Sequence, residues 1–354
     1  MNLADDEKLI STDISPNGVW VLGETRYSGA VSETVYELSA KARSLADSLA
    51  ASNGREGGVS VAMMLDEKNA SATDLGRIGQ YGADTVLAVR GGGLPFDRTK
   101  CAKILALLAE RARPQILLAS ATAFGRSVMP YAAALLGTGL TADCTGLEIE
   151  ESSGLLLQTR PAIGGNVMAT IKTPDHRPQM ATARPRTFGI PSPIPGRTAK
   201  VVEPELPYIP DSVGESSFKP FEESIGTLRD ADAIVSGGKG LRRAEGFELI
   251  SRLADAIGGG VGASRPTVEM KWIGYQHQVG LSGQTVSPKV YIAAGISGSA
   301  QHLAGMSSSG KIISINRDPD APIFKASDVA ICGDLYEIIP MLIERIERRT
   351  AGAQ

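Results

Sequence analysis

The stretch VYIAAGISGSAQHLAGMSSSGKIISIN, residues 290–316, contains the repeating unit that decides the fold. Residues 290–294 and 311–316 are short apolar runs, which are typical of buried strands. Residues 300–306 between them have the pattern of a short helix, and a turn rich in glycine and serine precedes it. A strand, a helix and a second strand in this order predict parallel strands joined by a crossover.

The same alternation continues on both sides of this stretch. Strands are predicted at residues 233–236 and 329–332, and helices at residues 245–257 and 336–348. In the first half, the predicted strands are 18–25, 59–65, 83–90 and 114–120, and the predicted helices are 36–50, 98–112 and 126–136. The fold class is therefore α/β, with two doubly wound parallel-sheet domains.

Two segments interrupt the alternation. Residues 146–150, 155–160, 167–172 and 179–184 are short and alternating, with glycine and proline between them, which predicts an antiparallel meander appended to the first sheet. Prolines then crowd the chain from residue 185 to about 220, which predicts an extended linker that allows one strand at 199–204. The predicted domains are residues 1–186 and 229–354, and the linker is 187–228.

Composition excludes several classes of protein. The formal net charge is −3, from 36 basic and 39 acidic residues, which does not favour binding to a phosphate backbone. Aromatic residues make up 5%, which does not favour base stacking. No nucleic-acid partner is therefore expected. The three cysteines are far apart, which predicts buried small side chains rather than a disulfide framework or a zinc site. The chain contains no run of about 18 apolar residues, which predicts no membrane span. Its polar, acidic start lacks a targeting pattern, and we expect a cytoplasmic protein.

The residues that could bind a ligand lie at or after the ends of the strands of the last domain, where open parallel sheets bind ligands. A glycine-rich turn with Lys239 follows the first strand, and residues 295–302 follow the strand at 290–294. Asn316 is the last residue of the strand at 311–316, and Asp334 follows the strand at 329–332 after one glycine. Each feature can also be explained without a ligand, namely as a tight turn, a packed histidine or a turn cap. Together with about thirty loop residues before residue 290, they predict a site for a cofactor of dinucleotide size.

Several separate motifs of this chain resemble those of the electron-transfer flavoprotein α-subunit family. They are SGGKG at 236–240, SR at 264–265, QVGLSG at 278–283 and the run at 288–334, together with residues 137–171 and DHRPQMATARP at 175–185 in the first half. The resemblance covers nearly the whole chain. It implies that the C-terminal domain is a Rossmann-like domain that binds FAD and that the first domain is a scaffold for docking a β subunit.

The resemblance also implies roles for individual residues. Arg265 would lie against the isoalloxazine ring, Ser282 would hydrogen-bond near flavin N5, and His302 would point at the C2 carbonyl. The implied cofactor-binding residues are Lys239, Ser264, Arg265, Gln278, Val279, Gly280, Leu281, Ser282, Gly295, Ile296, Ser297, Gly298, Ser299, Ala300, Gln301, His302, Asn316, Asp334 and Leu335. Position 239 is lysine where many family members have arginine, and position 281 is leucine where many have glutamine.

The implied function is that of an electron carrier and not of an enzyme. The expected partners are a β subunit with AMP or a second FAD, dehydrogenases of the acyl-CoA type used in fatty acid β-oxidation or other dehydrogenases, and an acceptor oxidoreductase. The alternative from another class is a self-sufficient FAD- or NAD-dependent oxidoreductase. The first half carries no acid–base constellation for it, because His176 is its one histidine.

Overall fold

The computed structural model describes residues 18–26, 29–54, 57–65, 72–90, 97–162, 167–210, 228 and 231–351. The chain divides into two compact units. Unit 1 comprises Met1–Ala162 and Val167–Phe218, and unit 2 comprises Ile163–Asn166 and Lys219–Gln354. Each unit is built on its own parallel sheet, which confirms the predicted fold class.

Unit 1 contains a seven-stranded sheet in the order β10-β3-β2-β1-β4-β9-β5, with every neighbouring pair parallel. The strands are β1 (Val19–Gly23), β2 (Val59–Met64), β3 (Thr85–Val89), β4 (Ile116–Ser120), β5 (Leu140–Cys144), β9 (Gln179–Ala183) and β10 (Lys200–Val202). The helices are α1 (Glu33–Asn53), α2 (Ala72–Gly76), α3 (Arg98–Ala112) and α4 (Gly125–Leu136). A short 3-10 helix, Arg77–Tyr81, follows α2.

Both faces of this sheet are covered, as the uninterrupted apolar strands predict. Val19 and Val21 of β1 point into a core that also contains the apolar side chains of α1. Trp20 and Leu22, the alternate residues, point into a second core with α3 and α4. The alternation of side chains along one strand therefore serves two helical layers, as in other doubly wound sheets.

The predicted meander is correct for three strands and wrong for the fourth. β6 (Gly146–Ile149), β7 (Leu156–Pro161) and β8 (Met168–Ile171) form an antiparallel sheet in that order. The fourth segment, Gln179–Ala183, instead lies between β4 and β5 in the parallel sheet. All five of its residues are buried, because its polar and apolar side chains both face covered sides of the sheet.

The proline-rich segment contains the strand that its sequence allows. β10 pairs in parallel with β3 at the edge of the seven-stranded sheet, so this part of the predicted linker adds to unit 1. Residues 211–227 lie outside the described residues. The predicted limits of the domains and of the linker stay a prediction.

Unit 2 contains a five-stranded parallel sheet in the order β12-β11-β13-β14-β15. Its strands are β11 (Ala233–Gly237), β12 (Gly260–Ala263), β13 (Val290–Ala294), β14 (Lys311–Asn316) and β15 (Val329–Cys332). Its helices are α5 (Gly246–Ala256), α6 (Arg265–Glu269), α7 (Ala300–Leu303) and α8 (Leu335–Ala351), and short 3-10 helices occur at Lys239–Leu241, Tyr275–His277 and Pro322–Ala326. The sequence reading missed β12, whose GVGA pattern carries little strand signal.

The two faces of the second sheet are covered in different ways. One face packs against the apolar sides of α5 and α8. The other face, which includes Tyr291, packs against side chains from loop segments, among them Val279, Ile296 and Ile323. The loops that carry the predicted cofactor residues therefore also supply half of the core of this unit.

One cysteine differs from the prediction. Cys101 and Cys144 are buried, but Cys332 is exposed at the end of β15. β15 is the edge strand of its sheet, and three of its four residues are exposed. None of the three thiols forms a disulfide.

Candidate functional site

The carboxyl ends of the five strands of unit 2 lie at one edge of the sheet, because all the strands are parallel. Counted within the unit, the strand order is 2-1-3-4-5, and the connections leave in opposite directions from β11 and β13. Ligands of doubly wound sheets bind beyond the carboxyl ends at such a switch point. The predicted residues at 239, 264–265, 295–302 and 334 follow strands at this edge, and Asn316 is the last residue of β14.

At the switch point, the loops after β11 and β13 contact each other through their backbones. Gly240 N donates to Gly295 O at 2.9 Å. A Cβ atom on Gly238 would lie 2.3 Å from Gly295 O, and one on Gly240 would lie 2.7 Å from Gly295 Cα. These glycines are therefore required for close backbone packing, whatever ligand the edge binds.

The loop after β13 is held in an unusual conformation at Gly298. Its φ is +87°, and an added Cβ would lie 2.4 Å from Ile323 N. Ile323 N in turn donates to Ser297 O at 2.9 Å. Ser297, Ser299 and Gln301 are exposed at the carboxyl edge, and the Ser299 hydroxyl oxygen caps α7 by accepting from His302 N at 3.4 Å.

A second loop, residues 275–284, lies beside the end of β12. Val279 N donates to Ala263 O at 2.9 Å, which extends the ladder of the sheet by one bond. Leu281 N donates to Gln301 O at 2.8 Å, which ties this loop to α7. The region predicted to have little regular structure therefore contains β12, α6 and a loop fixed between them and α7.

Ser282 is exposed at the tip of this loop. Gln278 Nε2 donates to Ser282 Oγ at 3.1 Å. The Tyr275 hydroxyl donates to Ser282 O at 2.7 Å. Both the side chain and the backbone of Ser282 are thus held by neighbours, and its hydroxyl oxygen already accepts one hydrogen bond.

His302 lies beneath these loops and is 5% exposed. Its Nδ1 is 3.1 Å from Val279 O, and its Nε2 is 3.1 Å from the Tyr291 hydroxyl oxygen. Burial lowers the pKa of His302 to about 4, although the Val279 carbonyl opposes that change. Burial also raises the pKa of Tyr291. Both rings are therefore neutral near pH 7.

These contacts determine the tautomer of His302. A carbonyl oxygen only accepts, so Nδ1 must carry the hydrogen that is donated to Val279 O. In a neutral ring Nε2 is then an acceptor, and the Tyr291 hydroxyl donates to it. Both ring nitrogens of His302 are thus paired within the protein, and its contact with the flavin C2 carbonyl stays a prediction.

Two predicted cations lie exposed at the edge. Lys239 is exposed after β11. Arg265, at the start of α6, has a side chain that is 64% exposed, and its Nε lies 2.7 Å from Glu269 Oε1. An exposed pair of this kind contributes about 1 kcal/mol or less to stability. Arg265 is therefore available to a ligand at little cost to the fold.

Asn316 and Asp334 both serve the local backbone. Asn316 Nδ2 donates to Ile296 O at 2.9 Å, and its Oδ1 accepts from Asp318 N at 3.1 Å. Asp334 Oδ1 accepts from Tyr336 N at 2.9 Å at the start of α8, and its Oδ2 lies 2.6 Å from Arg317 Nη2. Their acceptor oxygens can accept further hydrogen bonds, so these contacts are compatible with binding a ligand. The same contacts also fit a purely structural role in capping turns.

The side chains of three predicted residues point away from the edge. Val279 and Ile296 are buried in the core on one face of the sheet, and Leu335 is buried in the core on the other. Only their backbone groups can reach a ligand. Conversely, sequence reasoning missed Tyr291 and Tyr275, since the pairing of a strand tyrosine with a helix histidine leaves no local pattern.

Among the described residues, no group of three or more histidine, cysteine, aspartate or glutamate side chains is placed to hold a metal ion. No helix within the described parts of the chain has the length and apolar character needed to cross a membrane.

Known proteins match this chain along most of its length. A family model described as electron transfer flavoprotein domain matches residues 19–208, and one described as electron transfer flavoprotein FAD-binding domain matches residues 227–307. The electron transfer flavoprotein subunit alpha of Thermoanaerobacterium thermosaccharolyticum is 45% identical over 333 residues, which cover 93% of this chain and 98% of that relative.

Two further relatives show similar coverage. Protein FixB of Clostridium saccharobutylicum is 41% identical over 329 residues, covering 92% of this chain and 95% of its own. The electron transfer flavoprotein subunit alpha of Megasphaera elsdenii is 39% identical over 338 residues, covering 94% and 97%. With this identity and coverage, and with both family models matched in chain order, the chain belongs to the α-subunit family of electron transfer flavoproteins.

Proposed function

We propose that this electron-carrier subunit binds FAD at the carboxyl edge of the five-stranded sheet. The match of residues 227–307 to an FAD-binding domain supports this proposal. The observation that carries it is the set of groups at that edge, in which exposed hydroxyl and amide side chains lie with the cations Lys239 and Arg265. Such a set fits a ligand that combines an anionic diphosphate with a heteroaromatic ring.

The residues of this chain would have separate tasks. Lys239 contributes positive charge near the phosphates, as a point charge without the fork of an arginine. Arg265 supplies positive charge beside the ring system, where negative charge is favoured by a nearby cation. Ser282 offers a hydroxyl hydrogen, because its oxygen already accepts from Gln278. Bound FAD would supply the one-electron chemistry, and the protein would tune its potential.

We further propose a heterodimer with a β subunit that holds AMP or a second FAD. Electrons would come from dehydrogenases, among them the acyl-CoA type of fatty acid β-oxidation, and would go to an acceptor oxidoreductase. The names of the relatives, which are subunits, support a partner chain. The alternative of a self-sufficient oxidoreductase is not favoured, because the family consists of electron carriers. The cytoplasmic location stays a prediction.

The test is to purify the chain together with the product of a co-expressed β-subunit gene. We expect a yellow complex that contains FAD bound to the α subunit, and that accepts electrons from a partner dehydrogenase but turns over no small substrate by itself. Limited proteolysis and mass spectrometry would locate FAD in the C-terminal unit. A folded, colourless complex that takes up no added FAD would contradict the proposal.

A further inference from the structure

Gln278 is a buried polar residue directly beneath an exposed one. It is 4% exposed, while Ser282, four residues later, is exposed. Its backbone is fixed at the end of β12, since Gln278 forms a bridge with Ala263. Gln284 N also donates to Gln278 O at 2.7 Å. The Gln278 side chain therefore starts from a rigid position.

The direction of the bond between these side chains has a chemical consequence. An amide nitrogen donates and does not accept, so the Ser282 oxygen is the acceptor from Gln278 Nε2 at 3.1 Å. The hydroxyl hydrogen of Ser282 is not used in this bond. It remains available to a group that accepts hydrogen bonds.

The rest of the loop restrains the backbone at Ser282. The Tyr275 hydroxyl binds Ser282 O at 2.7 Å. The turn closes tightly on Gln278, because a Cβ atom on Gly283 would lie 2.4 Å from Gln278 O. Ser282 is thus held by one hydrogen bond to its hydroxyl oxygen and one to its carbonyl oxygen.

We propose that Gln278 is a positioning residue that keeps Ser282 as a hydrogen-bond donor toward an acceptor nitrogen of the bound flavin ring. The proposal rests on the proposed binding of FAD at this edge. It assigns to Gln278 a role through Ser282, rather than the direct cofactor contact that the family resemblance implies. The Ser282 hydroxyl is oriented as a donor before FAD binds, which reduces the free-energy cost of ordering the site on binding.

The variant Gln278→Glu tests the direction of the bond. A carboxylate of the same shape only accepts, so it captures the hydrogen of Ser282 and turns the lone pairs of the oxygen toward the ligand. We expect FAD to bind about tenfold more weakly to the apo-protein, which corresponds to about 1.4 kcal/mol. The resonance Raman bands that report hydrogen bonding to the oxidised ring nitrogen should shift as they do in Ser282→Ala.

A double-mutant cycle separates this effect from charge or general damage. Gln278→Glu and the neutral Gln278→Met are each made in the wild-type and the Ser282→Ala background, with circular dichroism as the check on folding. We expect both exchanges to lose most of their effect once Ser282 is absent. Gln276→Glu, an equal change of charge at an exposed residue of the same loop, should leave the affinity for FAD within about twofold of wild type.

The outcomes are distinct for the two proposals. If the wild-type protein binds no FAD, the proposed function fails. If it binds FAD, and Gln278→Glu and Gln278→Met weaken binding equally in both backgrounds, FAD binding stands and the positioning role of Gln278 is overturned. If Gln278→Glu leaves both the affinity and the Raman bands unchanged, the role is overturned as well.

Discussion

The Tyr291 hydroxyl lies 3.1 Å from His302 Nε2, and both residues are buried. Because Val279 O fixes the hydrogen on Nδ1, Tyr291 is the donor of this bond. Tyr291, on a strand in the centre of the sheet, therefore donates to the acceptor nitrogen of a histidine that the family resemblance associates with the cofactor. This pairing cannot be predicted from the local sequence of α7, which carries His302.

Replacing Tyr291 with phenylalanine should leave the buried acceptor Nε2 without its donor. We expect unit 2 to lose about 1–3 kcal/mol of stability. Urea unfolding, with hydrogen exchange of peptides from residues 231–351, measures the loss in this unit. Tyr208→Phe is the control, since Tyr208 is 90% exposed and should cost nothing measurable. Equal stability of the two variants would contradict the hydrogen bond.

Acid should destabilise unit 2 through His302. The folded pKa of about 4 lies below the ordinary value of 6.5, so the unfolded chain binds more protons between these two pH values. The stability that the neutral ring provides is fully present above pH 6.5 and falls by about 1.4 kcal/mol per pH unit as the pH drops toward 4.

The variant His302→Asn isolates this contribution, because asparagine does not titrate. Between pH 4 and 6.5, the free energy of unfolding should change less steeply with pH in the variant, by the amount that corresponds to about one bound proton. Nitrogen-15 chemical shifts of labelled histidine give a direct measurement, and at pH 7 they should show His302 protonated on Nδ1 alone. A His302 ring that is protonated on Nε2 at pH 7 would contradict the assignment.

Arg265 and Glu269 should shift the first reduction potential of bound FAD in opposite directions. Arg265→Ala removes positive charge from the edge and should lower the potential, whereas Glu269→Ala leaves Arg265 uncompensated and should raise it. A tenfold change in the reduction equilibrium corresponds to about 59 mV for one electron, and we expect shifts of that order. Spectroelectrochemical titration measures them.

The stability of these two variants should change little, because the ion pair is exposed. An unchanged potential in Arg265→Ala, with FAD still bound, would remove Arg265 from its proposed place beside the ring. A shift of the same sign in both variants would point to a structural disturbance rather than to charge.

Gly298 and Gly258 provide a matched pair of glycines with positive φ. An added Cβ at Gly298 would lie 2.4 Å from Ile323 N, whereas at Gly258, with φ of +63°, it would meet nothing within 4 Å. Gly258→Ala should cost about 1–2 kcal/mol from the left-handed conformation alone. Gly298→Ala should cost more and should also weaken FAD binding by displacing residues 296–302.

Urea unfolding and titration of apo-protein with FAD measure the two effects. If Gly298→Ala is no more costly than Gly258→Ala and binds FAD equally well, the close packing of this loop on Ile323 is not important for the site.

The sequence was sufficient where one local pattern determines the structure. The apolar runs at β11, β13, β14 and β15 and the amphipathic segments at α5 and α8 predict the second sheet and its helical face. The strand Gly260–Ala263 was missed because glycine carries no side-chain signal, and its place is set by pairing with β11. Gln179–Ala183 was assigned to the wrong sheet because its alternation resembles a half-exposed strand, although β4 and β5 enclose it on both sides.

The candidate site shows the same limit. The family resemblance predicts that Ser282, Arg265 and His302 belong to one cofactor site. Their hydrogen-bond partners depend on residues distant in the chain, as with Val279, which is 23 residues from His302. The direction of a bond, and thus which atom is left to meet a ligand, is a property of the folded chain.

Cys332 is exposed at the end of β15, so its thiol can be labelled selectively. Burial raises the pKa of Cys101 to about 11 and that of Cys144 to about 12, so both remain protonated thiols that react slowly near neutral pH. A maleimide dye or spin label should therefore attach to Cys332 in the unmodified protein. A reporter could thus be installed at the end of β15, close to Asp334, without changing a single residue of the chain.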